Sequence, residues 1–260
     1  MPGLDETEIS KNIINAYHEK LLDRIASDVL IVGAGPAGMT AAFCLAGMGL
    51  NVALLEKHLS CGGGIWGGGM GMNEVVVQDD ALALLDEIGV RHKPAGGGLH
   101  TAESIELAAG LCLKAAQSGA VLLNLVTAED VCVHHRRVTG VVANRTMISG
   151  ALHVDPITFS AKAVIDGTGH EAVLVEALRK RGLLAGAPAA DGVEGPMDAD
   201  SGEAFVVENV AEVFPGLWVS GMSVCAALGG PRMGPIFGGM LLSGRRVAEL
   251  VYQALERSGQ

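Results

Sequence analysis

The sequence predicts an α/β protein with a central, mainly parallel β-sheet, in a single domain over residues 1–260. Segments rich in β-branched residues alternate with helical segments along the chain, which is the pattern of parallel sheets covered by helices. The composition agrees, since 49% of the residues are hydrophobic and 37 are glycine, as in a compact chain with many turns. A chain of 260 residues is also long enough to bury a large core.

The first elements are a helix and a strand-helix-strand unit. A charged segment with helical periodicity predicts a helix over 7–26, and a βαβ unit follows over 28–56, where DVLIVG and NVALLE are the strands. Residues 29–55 carry no formal charge, a length that by itself would permit a membrane span. The Gly-Pro interruption between two strand-like segments favours a buried βαβ unit instead, so we expect no membrane segment.

Helices and strands continue to alternate after this unit. Two glycine-rich loops, at 60–72 and 93–100, flank a helix near 79–89. A Gly/Pro/Asp-rich segment over about 183–203 is expected to be a mobile excursion. The other predicted elements are helices near 101–118, 171–182 and 235–257, and strands at 121–133, 137–148, 157–169 and 216–221.

Charge and cysteine content exclude several classes of protein. The formal net charge is -11 and only 3% of the residues are aromatic, so we expect no nucleic-acid partner, because phosphates would be repelled and bases would find few stacking platforms. The five cysteines are widely spaced and form no CxxC pair, which favours reduced thiols. The N-terminal segment lacks the apolar core of a signal peptide, so a cytoplasmic location is expected.

The segment GAGPAG predicts a dinucleotide site. Gly33, Gly35 and Gly38 have GxGxxG spacing between a strand and a helix: the first makes the turn, the second admits a pyrophosphate and the third allows close packing. Glu56 ends the next strand, where its carboxylate can accept hydrogen bonds from the ribose hydroxyls of an adenosine. The pattern therefore favours an adenine dinucleotide over an empty glycine turn. It does not distinguish FAD from NAD, because both contain ADP.

One arginine stands alone in an apolar segment. Arg232 is the only formally charged residue between Glu212 and Arg245. A guanidinium does not deprotonate, so it needs an anionic partner in such surroundings. That partner is either a structural Asp or Glu, or the carboxylate of a substrate held by the planar guanidinium. The sequence leaves both open.

The pair His153 and Asp155, in ALHVDP, raises the question of a metal site. On a strand the two side chains would point to the same face, and His170, which follows a strand that breaks at two glycines, could return to them. Imidazole and carboxylate suit divalent ions such as Fe(II), Zn(II) or Mn(II). By spacing alone, a hydrogen-bonded surface pair is the favoured interpretation.

Several segments together resemble the thiamine thiazole synthase (Thi4-type) family: IVGAGPAGMTAA, LEKHLSCGGGIWGGGM, HVDP, DGTGH and GMSVCAALGGPRMGPIFGGM. The likeness covers nearly the whole chain. It implies a Rossmann-like fold of the glutathione-reductase type, with a smaller β layer beside the main sheet. It also implies an enzyme that combines the ADP-ribose part of NAD with glycine and sulfur into an ADP-thiazole carboxylate, releases nicotinamide, and forms a homo-octamer.

The resemblance implies roles for individual residues. Asp155 and His170 would bind Fe(II), Arg232 would hold the carboxylate of glycine, and His153 would also take part in catalysis. Carried over by position, the residues that contact the dinucleotide would be Gly33, Gly35, Ala37, Gly38, Glu56, Lys57, Gly64, Ala128, His153 and Met222.

His153 stands where the eukaryotic branch of the family has a cysteine that gives up its own sulfur. Imidazole has no sulfur to donate, so the resemblance points to the archaeal and bacterial branch, which uses free sulfide with Fe(II) and turns over. Three alternatives remain from the sequence: an FAD-dependent oxidoreductase, a sugar-phosphate isomerase acting on ribose-1,5-bisphosphate, and a dinucleotide sensor without catalytic activity.

Overall fold

The computed structural model describes residues 3–189 and 191–258 and has two β-sheets with helices packed around them. The helices are α1 (Glu6–Arg24), α2 (Pro36–Gly47), α3 (Leu82–Ile88), α4 (Ser104–Gln117), α5 (Val173–Lys180), α6 (Ala199–Glu208), α7 (Met222–Leu228) and α8 (Gly238–Ser258). The strands are β1 (Ala26–Val32), β2 (Val52–Glu56), β3 (Glu74–Gln78), β4 (His92–Gly96), β5 (Leu99–Glu103), β6 (Val121–Asn124), β7 (Val126–His134), β8 (Arg137–Arg145), β9 (Ile157–Asp166), β10 (Glu212–Phe214) and β11 (Leu217–Val219).

The larger sheet has eight strands and confirms the predicted α/β class. Its main path runs in the order β10-β11-β9-β1-β2-β6, and the five strands from β11 to β6 are parallel. Strand β10 is antiparallel at one edge, while β8 pairs antiparallel with both β9 and β7. Because parallel strands end at the same edge, the segments that follow β1, β2, β9 and β11 all emerge on one side of the molecule.

The uncharged run 29–55 forms β1, α2 and β2, as the periodicity predicts. Every residue of β2 is buried, and so are Val29–Val32 of β1, which explains why both strands are apolar throughout rather than alternating. None of the helices that the structure describes is long and apolar enough to cross a membrane.

The glycine loop predicted at 93–100 is wrong, because this stretch is a hairpin. Strands β4 and β5 pair across Gly96, Gly97 and Gly98, all at positive φ, and β3 pairs with β5 to complete a small antiparallel sheet. The glycines make the turn itself and leave the flanking residues free to form strands. The sequence interpretation also missed β3 and the short helix α7, which it assigned to a glycine-rich turn.

The segment predicted to be a mobile excursion, 183–203, is held by backbone hydrogen bonds over part of its length. Gly195 N donates to Gly230 O at 2.8 Å, Arg232 N to Pro196 O at 3.2 Å and Asp198 N to Arg232 O at 3.0 Å. Helix α6 then begins at Ala199. The Gly- and Pro-rich composition reflects close packing here, since a Cβ on Gly192 would lie 1.8 Å from Ala227 O.

Helices α2 and α8 cross at a backbone contact. A Cβ on Gly244 would lie 2.4 Å from Ala37 O and 2.7 Å from the Thr40 Cβ, so only glycine allows this approach. The contact brings α8 against the helix that begins at the glycine turn.

We expect Gly244→Ala to lower the free energy of unfolding by about 1–3 kcal/mol, because the added methyl forces two packed helices apart. Gly47→Ala is the matched control: it adds the same methyl to α2 where nothing lies within 4 Å, and should change stability by less than about 1 kcal/mol, in the stabilising direction. Urea denaturation measures both. Equal stability of the two variants would contradict the close contact.

Candidate active site

The glycine turn between β1 and α2 is shaped by two contacts within the chain and one opening. Gly33 has φ +100°, and a Cβ there would lie 2.4 Å from Gly167 O, while a Cβ on Gly38 would lie 2.0 Å from Gly33 O. A Cβ on Gly35 would meet nothing within 4 Å. The protein's own packing therefore requires glycine at the first and third positions, and the second leaves space for a ligand.

The carboxylate of Glu56 binds this turn. Its Oε2 accepts a hydrogen bond from Ala34 N at 2.9 Å, and its Oε1 accepts from His58 N at 2.7 Å and contacts His58 Nδ1 at 2.9 Å. The side chain is only 5% exposed. Each carboxylate oxygen has more than one acceptor position, so these bonds leave room for a ribose hydroxyl as well.

A cavity of about 1010 Å³ opens at the edge of the sheet where the parallel strands end. Ten of the residues that the sequence singles out line it: Gly33, Gly35, Ala37, Glu56, Lys57, Gly64, Ala128, His170, Met222 and Arg232. They come from segments spread across the chain, yet they face one volume. A crevice at the carboxyl ends of parallel strands is where open α/β sheets bind their ligands.

Three predicted residues do not line this cavity. Gly38 lies beneath the turn, packed on Gly33, which fits a packing role. His153 and Asp155 lie on the exposed stretch before β9. Strand β9 has 10 residues and spans about 30 Å, so Asp155 stands just before one end of it and His170 just after the other. The structure does not bring Asp155 to the cavity with His170.

The loop after β9 is organised by Asp166, which is fully buried. Its carboxylate accepts hydrogen bonds from Thr168 N and Oγ1, from the amides of Leu174 and Val175 at the start of α5, and from Ser223 Oγ of α7. Burial raises the pKa of this carboxyl, and the hydrogen bonds oppose that rise. This arrangement fixes the loop Gly167–His170 that forms one wall of the cavity.

An ion pair crosses the cavity rim. Lys57 Nζ, just after β2, lies 2.7 Å from Glu171 Oε2, just after the loop that follows β9. Both side chains are well exposed, so the pair contributes at most about 1 kcal/mol and is open to exchange with a charged ligand.

A second carboxylate joins His170 to Arg232. Glu194 Oε1 lies 2.7 Å from His170 Nδ1, and Glu194 Oε2 lies 3.5 Å from Arg232 Nε. The Glu194 side chain is 18% exposed, whereas those of His170 and Arg232 are 53% and 51% exposed. The isolated arginine thus has a structural carboxylate beside it, and half of its side chain still faces solvent and the cavity.

The model of the Thi4 family matches residues 10–237, most of the chain and all of the elements that form this cavity. The chain belongs to the Thi4 family.

Its similarity to Thi4 proteins extends over almost the full length of the relatives. The chain is 52% identical to the thiamine thiazole synthase of Thermococcus kodakarensis over 96% of this chain and 98% of that protein. It is 49% identical to the thiamine thiazole synthase of Thermotoga maritima, over 95% and 97%. The crystal structure of Thermovibrio ammonificans THI4 superposes with a TM-score of 0.93 at 43% identity, covering 98% of this chain and 99% of that one.

Several site residues of this Thi4 chain escaped sequence reasoning. Glu194 lies 24 positions from His170 in a Gly/Pro-rich segment, and no spacing pattern connects the two. Ser223 is buried and donates to Asp166, but a serine in an apolar helix gives no signal of that kind. Asp166 had a signal, because a carboxylate at the end of an otherwise apolar strand must find donors when it is buried.

We expect Glu56→Ala to weaken binding of an ADP-containing dinucleotide at least tenfold, because the turn loses its acceptor for Ala34 N and the ligand loses a carboxylate. Isothermal titration calorimetry with NAD measures the affinity. Glu74→Ala removes an exposed carboxylate from β3, outside the cavity, and should bind NAD as the unchanged protein does. If the two variants bind equally well, Glu56 has no part in the site.

Proposed function

We propose that the chain is a thiamine thiazole synthase that forms an ADP-thiazole carboxylate from NAD, glycine and sulfide. The observation that carries the proposal is the single cavity, in which the glycine turn and Glu56 lie opposite the loop that carries His170 and the segment that carries Arg232. Membership of the Thi4 family supports it, as do the names of full-length relatives at 49–52% identity.

The adenosine end of NAD is assigned to the glycine turn. Backbone amides at the start of α2 point at the pyrophosphate, and no Cβ at Gly35 obstructs it. Glu56 accepts from the adenosine ribose, while Ala37, Gly64, Ala128 and Met222 provide the surrounding walls. This placement directs the reacting ribose towards His170 and Arg232.

The chemistry begins with loss of nicotinamide from NAD, which frees the anomeric carbon of ADP-ribose. The sugar then opens to an aldehyde and isomerises to a ketone, and the amine of glycine condenses at the carbonyl. Arg232 holds the glycine carboxylate through its planar guanidinium and so fixes the amine beside the sugar. Addition of sulfide, cyclisation and dehydration complete the thiazole.

Fe(II) is the metal proposed for this site, and the residues fit it in part. His170 fits, because its Nδ1 is bonded to Glu194 and its Nε2 is left as a donor to a metal, an arrangement common among metal-binding histidines. Asp155, the second proposed ligand, lies away from the cavity of its own chain. Within residues 3–189 and 191–258, no three His, Cys, Asp or Glu side chains form a metal-binding group. When bound, Fe(II) would supply a Lewis acid and a soft partner for sulfide.

His153 makes the proposed enzyme catalytic rather than suicidal. It occupies the position of the sulfur-donating cysteine of the eukaryotic branch, and it cannot donate sulfur. His153 serves as an acid/base or supports the metal site from an outer position, and free sulfide supplies the sulfur.

We also propose a homo-octamer in the cytoplasm. Helix α1 supports self-association, because none of its 19 residues is buried and Ile13 and Ile14 are 65% and 64% exposed. Light scattering of the purified protein would measure the mass of the assembly. The five free cysteines support a reducing compartment.

The purified protein, given NAD, glycine, sulfide and Fe(II) without oxygen, should release nicotinamide and form an adenylated thiazole over many turnovers. Mass spectrometry should show the product and an unchanged polypeptide mass. Ribose-1,5-bisphosphate offered instead tests the isomerase alternative, and flavin absorbance of the purified protein tests the oxidoreductase. A polypeptide that loses the mass of one sulfur would overturn the catalytic route.

Replacing Asp155 by Ala should abolish Fe(II) binding, whereas His153→Ala should leave it largely preserved, because His153 is not proposed as a ligand. Anaerobic equilibrium dialysis measures the bound iron in both variants. Equal loss of iron would make His153 a ligand.

A further inference from the structure

We propose that Glu194 is a positioning residue that orients both His170 and Arg232 for the reaction. The inference deepens the proposed function and rests on it, since it assigns a task at the same site. It is carried by one juxtaposition: the two carboxylate oxygens of a mostly buried side chain face two cavity residues that are 62 positions apart in the chain.

The contact with His170 selects one form of the imidazole. A carboxylate can only accept, so at 2.7 Å from Glu194 Oε1 the Nδ1 atom must carry a hydrogen. In the neutral ring the lone pair is then on Nε2. More than half of the His170 side chain is exposed at the cavity, so without Glu194 the ring would be free to rotate and to exchange its two tautomers.

The contact with Arg232 leaves the binding edge of the guanidinium open. Glu194 Oε2 lies 3.5 Å from Nε, and among the described residues neither Nη group has a hydrogen-bond partner. The carboxylate therefore attracts one side of the guanidinium without occupying the atoms that bind a second carboxylate. An anchored, half-exposed guanidinium loses less freedom on binding glycine than a free one does.

The backbone around Glu194 is rigidly placed for this task. Gly192 packs against Ala227 O with no space for a Cβ, and Gly195 donates to Gly230 O at 2.8 Å. The side chain extends from between these two anchors and is 18% exposed. An exposed ion pair would contribute little, but a mostly buried carboxylate held between two fixed points imposes geometry on its partners.

Two substitutions separate the two contacts. In Glu194→Gln, the amide oxygen still accepts from His170 Nδ1, but the amide nitrogen turns a donor towards the donor Nε of Arg232. In Glu194→Ala, both contacts are lost. Asp79→Asn is the matched control, because Asp79 forms the same kind of carboxylate-imidazole pair with His100 at 2.8 Å and neither residue lines the cavity.

Three measurements follow. In the complete reaction, Glu194→Gln and Glu194→Ala should each raise KM for glycine about tenfold, with a smaller change in KM for NAD. Co(II), used as a spectroscopic probe without substrates, should bind Glu194→Gln nearly as tightly as the unchanged protein and Glu194→Ala about 10- to 100-fold more weakly. Nitrogen-15 NMR of labelled histidines should show protonated Nδ1 in His170, lost only in Glu194→Ala.

The outcomes distinguish this inference from the proposed function. If thiazole forms normally and Glu194→Ala matches Asp79→Asn in KM for glycine, Co(II) affinity and the His170 signals, the positioning role is overturned and the function stands. A lower KM for glycine in Glu194→Gln would also overturn it, because Glu194 would then compete with the substrate. If no thiazole forms but the His170 signals change in Glu194→Ala, the function fails while the orientation of His170 by Glu194 is upheld.

Discussion

The cavity depends on a buried carboxylate. Asp166 has no solvent exposure and accepts five hydrogen bonds, from the loop that follows β9, from the first amides of α5 and from Ser223 of α7. A buried carboxyl without these donors would cost several kcal/mol, so the three segments are held together strongly. One consequence is the position of His170, which follows directly from the loop that Asp166 fixes.

The second constraint is backbone contact between glycines. Gly33 lies against Gly167, so the turn after β1 and the loop after β9 touch at a distance that no side chain permits. The same turn provides helix amides for a pyrophosphate, which matters in a chain whose net charge is -11. Fixed amide dipoles, together with Lys57 and Arg232, make the cavity attractive to anions although the protein as a whole repels them.

Local sequence signals predicted much of the fold and about half of the site's logic. The βαβ unit over 28–56 was predictable because hydrophobic runs, a glycine turn and a terminal Glu56 follow one another within 30 residues. The small sheet was not, since its hairpin turns on three consecutive glycines that are equally typical of a loop. The held segment around Glu194 was also missed, because its backbone partners lie more than 30 positions later.

The sequence by itself determined the dinucleotide turn and the need of Arg232 for an anion, because both follow from residue chemistry and spacing within short segments. Only the tertiary structure decided which residues meet. It placed Glu194 between His170 and Arg232, and it put the length of β9 between Asp155 and His170. Contacts of this kind depend on how strands and helices pack, and a polar residue carries no local mark of the distant partner it will satisfy.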